Sequence, residues 1–471
     1  MKKLGGILKN KEIMNRILFT VLILFIFRIG AQITVPGVTL GEDLQNYLDS
    51  SYALSLMNLL GGGTLQSFSI FALGVSPYIT AQIIVELLST DVLPALTELK
   101  RQGQGGRRKL EMATRYLTLM LGAVQAYGII RTMESSDAIT FVTASQEWLT
   151  YIYIIVIMMA GSMIVMWLGD QISVKGIGNG ISMIIFASII SQLPTTLASL
   201  GTNLFDTTNG SLDLFGWIQL PVNPVVFWII VCFTIAMLAV IFFLVKLNEA
   251  QRVITINYAK RVHGNTSYGG IKSILPIKLI AAGVIPVIFA TAFLSLPALV
   301  GQVITSINPE NTLGSTLTTM FTAPSASNFQ TLYPDGITAQ WFLYPAVYFV
   351  LVIMFTYFYT SIIFNTNEIA DNLQKQGGFI EGVRPGVTTA KYLGKVVNRL
   401  NLFGALALGL VAMLPFITDY LFIVFIGYPI GLSISGTGLL IVVTVALENL
   451  RSLDSRALMV TYDDFSNEPE A

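Results

Sequence analysis

Gly176-Ile177-Gly178-Asn179-Gly180 is the stretch of this chain most like a phosphate-binding loop. In such loops glycines let backbone N–H groups converge on phosphate oxygens at the start of a helix. A strand should feed the loop, but apolar helical stretches flank this one on both sides, so a tight turn between two helices is expected. No Walker A pattern occurs, and nucleotide hydrolysis by this chain is not expected. The one histidine, His263, stands in a basic loop without a partner for acid–base or metal chemistry. The one cysteine, Cys232, excludes a disulfide framework or a Cys-based metal site and reads as a packed apolar residue. A lipid-handling membrane enzyme would need a cluster of His, Cys or carboxylates, and the sequence offers none.

Two ionisable residues interrupt apolar stretches: Arg28 in Phe27-Arg28-Ile29-Gly30, and Glu86. Charge at membrane depth is costly and usually functional. Arg28 can snorkel outward or line an internal cavity. No Asp or Glu falls in the middle of any apolar stretch, which argues against ion-coupled transport.

The elements that hold these residues follow from composition. Of 471 residues, 54% are hydrophobic and 11% are charged, with 27 basic residues balancing 27 acidic ones. A soluble protein carries roughly 25% charged residues, so this chain cannot clothe a soluble surface. A disordered chain and a nucleic-acid binder driven by bulk positive charge are excluded as well. A polytopic membrane protein remains.

A helix crossing the bilayer needs about 20 mainly apolar residues. Ten stretches qualify, near 17–35, 68–90, 112–131, 150–168, 178–200, 224–245, 278–299, 342–364, 401–418 and 430–447. They do not alternate as barrel strands do. The first is too long for a signal-peptide core and lacks an A-x-A-like site, so it is expected to be retained. Of the 27 Lys and Arg residues, 25 fall in alternate connections and the two ends. Cytoplasmic loops attract such residues, so ten crossings with both termini cytoplasmic are expected.

Residues 53–63 form an apolar run too short to cross, ending in Gly61, Gly62 and Gly63. Two readings fit: a re-entrant segment filling a cavity, or an amphipathic helix on the outer surface. The connection 300–341 reads as a solvated outer loop. The loops 246–278 and 365–400 are long and basic. Topology and contact with anionic lipid explain most such loops. These two also carry Asn257-Tyr258-Ala259-Lys260-Arg261 and Gly382-Val383-Arg384-Pro385-Gly386. Pro385 biases Arg384 towards an extended backbone and presents it at a loop tip, as a protein contact would be.

The order of motifs resembles the SecY family of bacterial translocase channels. FRIG (27–30), VPGV (35–38), SIFALGVSPYITAQIIVELL (69–88), WLGDQISVKGIGNGISMIIFA (167–187), INYAKR (256–261), AAGVIPVIFA (281–290), FNTNEIADNLQKQGGFIEGVRPG (364–386) and SGTGLLIVV (435–443) carry the likeness, in order and over nearly the whole chain. The resemblance implies an all-α polytopic membrane protein. Its ten transmembrane helices would form two inverted pseudo-symmetric halves, 1–223 and 224–471. It implies a plug at 53–67, including Leu56, Met57, Leu59, Leu60 and the three glycines. It maps a pore ring onto Val75, Ile79, Ile185, Ile189, Ile288 and Ile441, branched side chains that disfavour water and ions yet flex around a polypeptide. It implies docking through Arg252, Lys260, Arg261 and Arg384. The expected partners are SecE, SecG, the SecA ATPase, the ribosome, secretory or membrane protein clients and, from the basic loops, anionic lipids, with no cofactor and no direct nucleotide. The expected location is the bacterial cytoplasmic membrane. A side exit would lie between the second and third helices and the seventh and eighth.

Some positions depart from the family pattern: Val253 beside Arg252, Ile280 where Asn is common, Glu86 where Gln is common, and Gly438 where Ser is usual. The alternative function is a small-molecule facilitator with an internal repeat. It needs discontinuous helices around a polar midplane site, which the sequence does not offer.

Overall fold

Apolar runs that water cannot reach must satisfy their own backbone groups, and the helix does this within one segment. The computed structural model is accordingly mostly helical. It describes residues 11–466, apart from 42–43, 45–47, 49–51, 90–92, 136–137, 142–146, 206–211, 215–217, 221–222, 259–260, 264–265, 269–271, 308–311, 323–338 and 427–435. The first half contains α1 (Lys11–Gly30), α2 (Tyr52–Gly61), α3 (Ser76–Leu88), α4 (Pro94–Arg101), α5 (Gln104–Ser135), α6 (Glu147–Lys175) and α7 (Gly180–Leu204). The second contains α8 (Pro224–Glu249), α9 (Ile285–Ile307), α10 (Thr312–Phe321), α11 (Ala339–Ile363), α12 (Thr366–Lys375), α13 (Val387–Ile426) and α14 (Gly436–Ser466). Among the described residues six helical segments are long and apolar enough to cross a bilayer, the first Lys11–Gly30 and the last Val387–Leu414.

The stretch 68–90, expected to be one helix, is helical only from Ser76, with Pro77 in its first turn. Residues 64–75 turn instead, because their backbone bonds to the chain leaving α1. The Val35 amide donates to the Phe68 carbonyl and the Ile70 amide to the Ile33 carbonyl, both at 3.0 Å.

The glycine-rich stretch 176–180 is a turn between α6 and α7. Asn179 caps α7 by accepting from the Ile181 and Ser182 amides. The Ile177 amide donates to Thr20 Oγ1 of α1 at 3.2 Å. The tight turn expected from the sequence is therefore present, and a side chain at 180 would strike the Gly169 carbonyl, so Gly180 also serves packing.

The basic loops 246–278 and 365–400 depart from the all-α expectation. β5 (Gln251–Tyr258) pairs antiparallel with β8 (Lys272–Lys278) on one side and with β9 (Gly378–Ile380) on the other, in the order β8-β5-β9. Alternation within β5 turns Ile254 and Ile256 inward. Ile254, Ile277 and Ile380 bury against Leu393, Val396 and Val397 from the first half of α13. This small core belongs to the basic connections and is separate from the main one. Three two-stranded pairs complete the strands: β1 (Val38–Leu40) with β2 (Ile139–Phe141), β3 (Leu212–Leu214) with β4 (Ile218–Leu220), and β6 (Arg261–His263) with β7 (Thr266–Tyr268).

Two smaller expectations also change. Part of the 300–341 connection is folded, since α10 packs back along α9 through the small residues Gly301 and Gly314. Cys232 is exposed on α8, not packed. The span of α8 is almost wholly unburied by the rest of the chain, and an apolar face of that kind suits lipid.

Candidate functional site

Val75, Ile79, Ile185, Ile189, Ile288 and Ile441 come from four elements, yet the fold collects them into one buried apolar cluster. None is more than 9% exposed. Val75 is the N-cap residue of α3, and Ile79 follows one turn later. Ile185 and Ile189 share a face of α7, Ile288 lies in the first turn of α9, and Ile441 lies in the first half of α14. The Asn179 cap and the late start of α3 set these registers. Ile280 joins the same cluster and contributes another apolar wall.

The half-span leads into this cluster. Helix α2 ends at Gly61, and Gly62 and Gly63 turn the chain with φ of +75° and +85°. Residues with a Cβ rarely adopt that conformation. At Gly62 there is also no space, because an added Cβ would meet Ser188 Cα of α7 at 2.9 Å. Asn58, one of two polar residues in the apolar run, ties the turn together. Its carbonyl accepts from the Gly63 amide and from Gln192 Nε2, both at 2.8 Å. Its side chain accepts from the Gln66 amide at 3.0 Å. Arg28 donates from Nη1 to the Gly62 carbonyl. The guanidinium therefore points inward, at the negative end of the α2 dipole. Of the two readings of Arg28, the structure selects the internal one.

Leu54 and Met57 of α2 pack into a second core with Leu65, Ile129, Ile130 and Met133. Leu59 and Leu60 pack against the cluster that holds the six branched residues. Leu56 lies on the same helix. One short helix thus spans two cores. The turn after it is strained: Phe68, wholly buried, has φ of +41°. Phe71 stacks on Phe27 with ring centroids 5.8 Å apart. Thr64 Oγ1, Ser69 Oγ and Ser188 Oγ are buried with no hydrogen-bond partner among the described residues. Asn58, Gln192, Ser188 and Phe68 were not picked out from sequence. A polar residue inside an apolar half-span was the available signal for Asn58 alone.

The basic candidates lie elsewhere. Arg252 is exposed on β5, and Arg384 is exposed in the turn between β9 and α13. That turn is fixed by the Val383 amide donating to the Ile380 carbonyl (3.0 Å) and by Thr389 Oγ1 donating to the Arg384 carbonyl (2.9 Å). Both arginines therefore ride on the three-stranded unit. Arg261 opens β6, and Lys260 lies outside the described residues. The helices flanking the expected side exit pack together, with α9 against both α3 and α5.

Chemically the centre is a buried apolar core. Branched side chains make it up, and Leu59 and Leu60 of the short helix pack against it. The SecY family model matches residues 69–450. Protein translocase subunit SecY of Streptococcus gordonii is 38% identical over 466 residues, 99% of this chain and 98% of that one. A solved structure described as that of a protein conducting channel superposes with a TM-score of 0.60 at 18% identity, covering 95% of this chain and 93% of the other. Sec61 in the canine ribosome-channel complex superposes at 0.59 with 18% identity and the same coverage. At that identity the structural likeness concerns the fold alone.

Proposed function

The chain belongs to the SecY family, and from that premise we infer that it conducts unfolded secretory polypeptides across the bacterial cytoplasmic membrane and releases membrane proteins sideways into it. The observation that carries this reading is the buried cluster of six branched residues, against which a half-length helix is seated. A dry neck of this kind excludes ions when closed, and flexible aliphatic side chains can reseal around a moving chain. In this reading Val75, Ile79, Ile185, Ile189, Ile288 and Ile441 form the pore ring, and residues 53–67 form the plug. Helices α3 and α5 part from α9 and α11 to open the side exit.

Ten crossings in two inverted halves, 1–223 and 224–471, agree with the 25 basic residues on alternate connections. In this reading both termini and the three-stranded unit lie in the cytoplasm, a side that the basic pattern favours. Arg252, Lys260, Arg261 and Arg384 then face the cytoplasmic motors, SecA and the ribosome, and SecE and SecG complete the channel. The test is purification in mild detergent followed by reconstitution. A small single-span companion should co-purify, and vesicles should import a precursor protein only with SecA and ATP. Passage of small solutes without any polypeptide transport would replace this reading with a facilitator.

A further inference from the structure

A cavity of about 620 Å³ opens where α11, α12 and α13 meet. Lys391, Lys395 and Arg399 line it, spaced four residues apart along one face of α13. All three are exposed, and none forms an ion pair among the described residues. Asn398 adds an amide, Tyr357 closes the α11 side, and Thr366 and Asn367, which open α12, border it. The positive end of that short helix adds to the field of the three cations. A cavity so lined selects an anion.

The same helix face continues in a different chemistry. Leu402 borders the cavity, and Leu402, Leu406 and Leu410 are exposed at the same four-residue spacing. Cations therefore pass directly into leucines along a single stripe, where the apolar stretch expected near 401–418 begins. A free anion would use only the first half of this stripe. We propose that the cavity binds the headgroup phosphate of an anionic phospholipid, whose acyl chain lies along Leu402, Leu406 and Leu410. Basic pockets between membrane helices at the cytoplasmic boundary are suited to such headgroups.

The test uses the full chain, with its co-purifying companions, in nanodiscs of phosphatidylcholine containing some phosphatidylglycerol with a photoreactive acyl chain. Irradiation and proteolysis then locate the label. The expected result is labelling of segment 402–410. It should fall about tenfold or more in the triple variant Lys391→Gln, Lys395→Gln, Arg399→Gln, since each juxtamembrane cation adds roughly fivefold attraction for anionic lipid. The charge-keeping variant Lys391→Arg, Lys395→Arg, Arg399→Lys should retain the label. The single change Lys395→Gln should lower it partially, which keeps the test decisive if the triple variant folds poorly. Unchanged labelling in the Gln variants, or equal labelling by a phosphatidylcholine probe, overturns the proposal. Loss of label on adding inorganic phosphate overturns the lipid assignment in favour of a soluble anion. Crosslinking of Lys395 to an acidic segment of a companion, with the label absent, overturns it in favour of a protein contact.

Discussion

Arg28 offers the sharpest test of the proposed plug and of how it would hold a closed state. In the structure its guanidinium donates to the Gly62 carbonyl at the end of the half-length helix. Replacement by Met keeps most of the volume and removes the donor. A hydrogen bond from a charged group contributes about 1.5–3 kcal/mol, and a buried carbonyl left unpaired costs a similar amount. Against this, the variant no longer buries part of a charge, so the net penalty on the closed state falls to about 1–2 kcal/mol. If residues 53–67 act as the proposed plug, water can hydrate the carbonyl once that segment has left, and the open state bears no such cost. The closed-to-open ratio should therefore drop about five- to thirtyfold. Single-channel conductance in planar bilayers reads this ratio directly. Arg28→Lys, which keeps a donor on a less branched head, should shift it less. Unchanged open probability in Arg28→Met, with normal thermal stability, would refute the argument that this bond latches the plug.

Ile441→Asn and Ile288→Asn each put an amide into the dry cluster, costing about 1–3 kcal/mol when closed. Both should raise ion conductance, and normal expression without added leak would remove these residues from the ring. Arg384→Glu should lower SecA ATPase stimulated by a precursor in reconstituted vesicles while leaving conductance unchanged, because the side chain stands in solvent on a fixed turn; full stimulation would count against docking there. Leu393→Ala, at a wholly buried site under the sheet, should destabilise that unit by about 2–5 kcal/mol. Hydrogen exchange across 251–258 should then accelerate while exchange in α7 does not; equal acceleration of both would show that the unit has no stability of its own.

The parts legible in the sequence are those governed by one-dimensional rules. Apolar runs of span length lead to helices, and a run of glycines after a short apolar stretch leads to an interrupted one. Charge alternation along the chain bears on topology in the same one-dimensional way. The late start of α3 was half visible: Gly74 and Pro77 punctuate the apolar run, but its apolar length outweighed them. The three-stranded sheet was missed for a related reason. Basic residues drew attention, while Val253-Ile254-Thr255-Ile256 alternates too briefly to stand out, and its third strand comes from more than a hundred residues away. The branched residues of the cluster could not be chosen from sequence patterns at all. Pairs of Ile at four-residue spacing occur on any lipid-facing helix, and only the family resemblance singled these out. The partner of Arg28 lies 34 residues away, beyond any local pattern.

Helix α13 has mechanical consequences. It runs 40 residues without interruption from Val387 to Ile426, about 60 Å at 1.5 Å per residue. Its N-terminal end is clamped under the sheet, and its second half carries Leu408, Val411 and Phe416 into the main cluster. Between them it is braced at Gly404, where an added Cβ would meet the Leu279 carbonyl at 2.5 Å. That arrangement is a lever with a fulcrum. A tilt of about 3° about Gly404 would sweep Phe416, about 18 Å further along, sideways by about 1 Å. Force applied at the sheet would thus shift side chains of the main cluster by a fraction of a side chain's width.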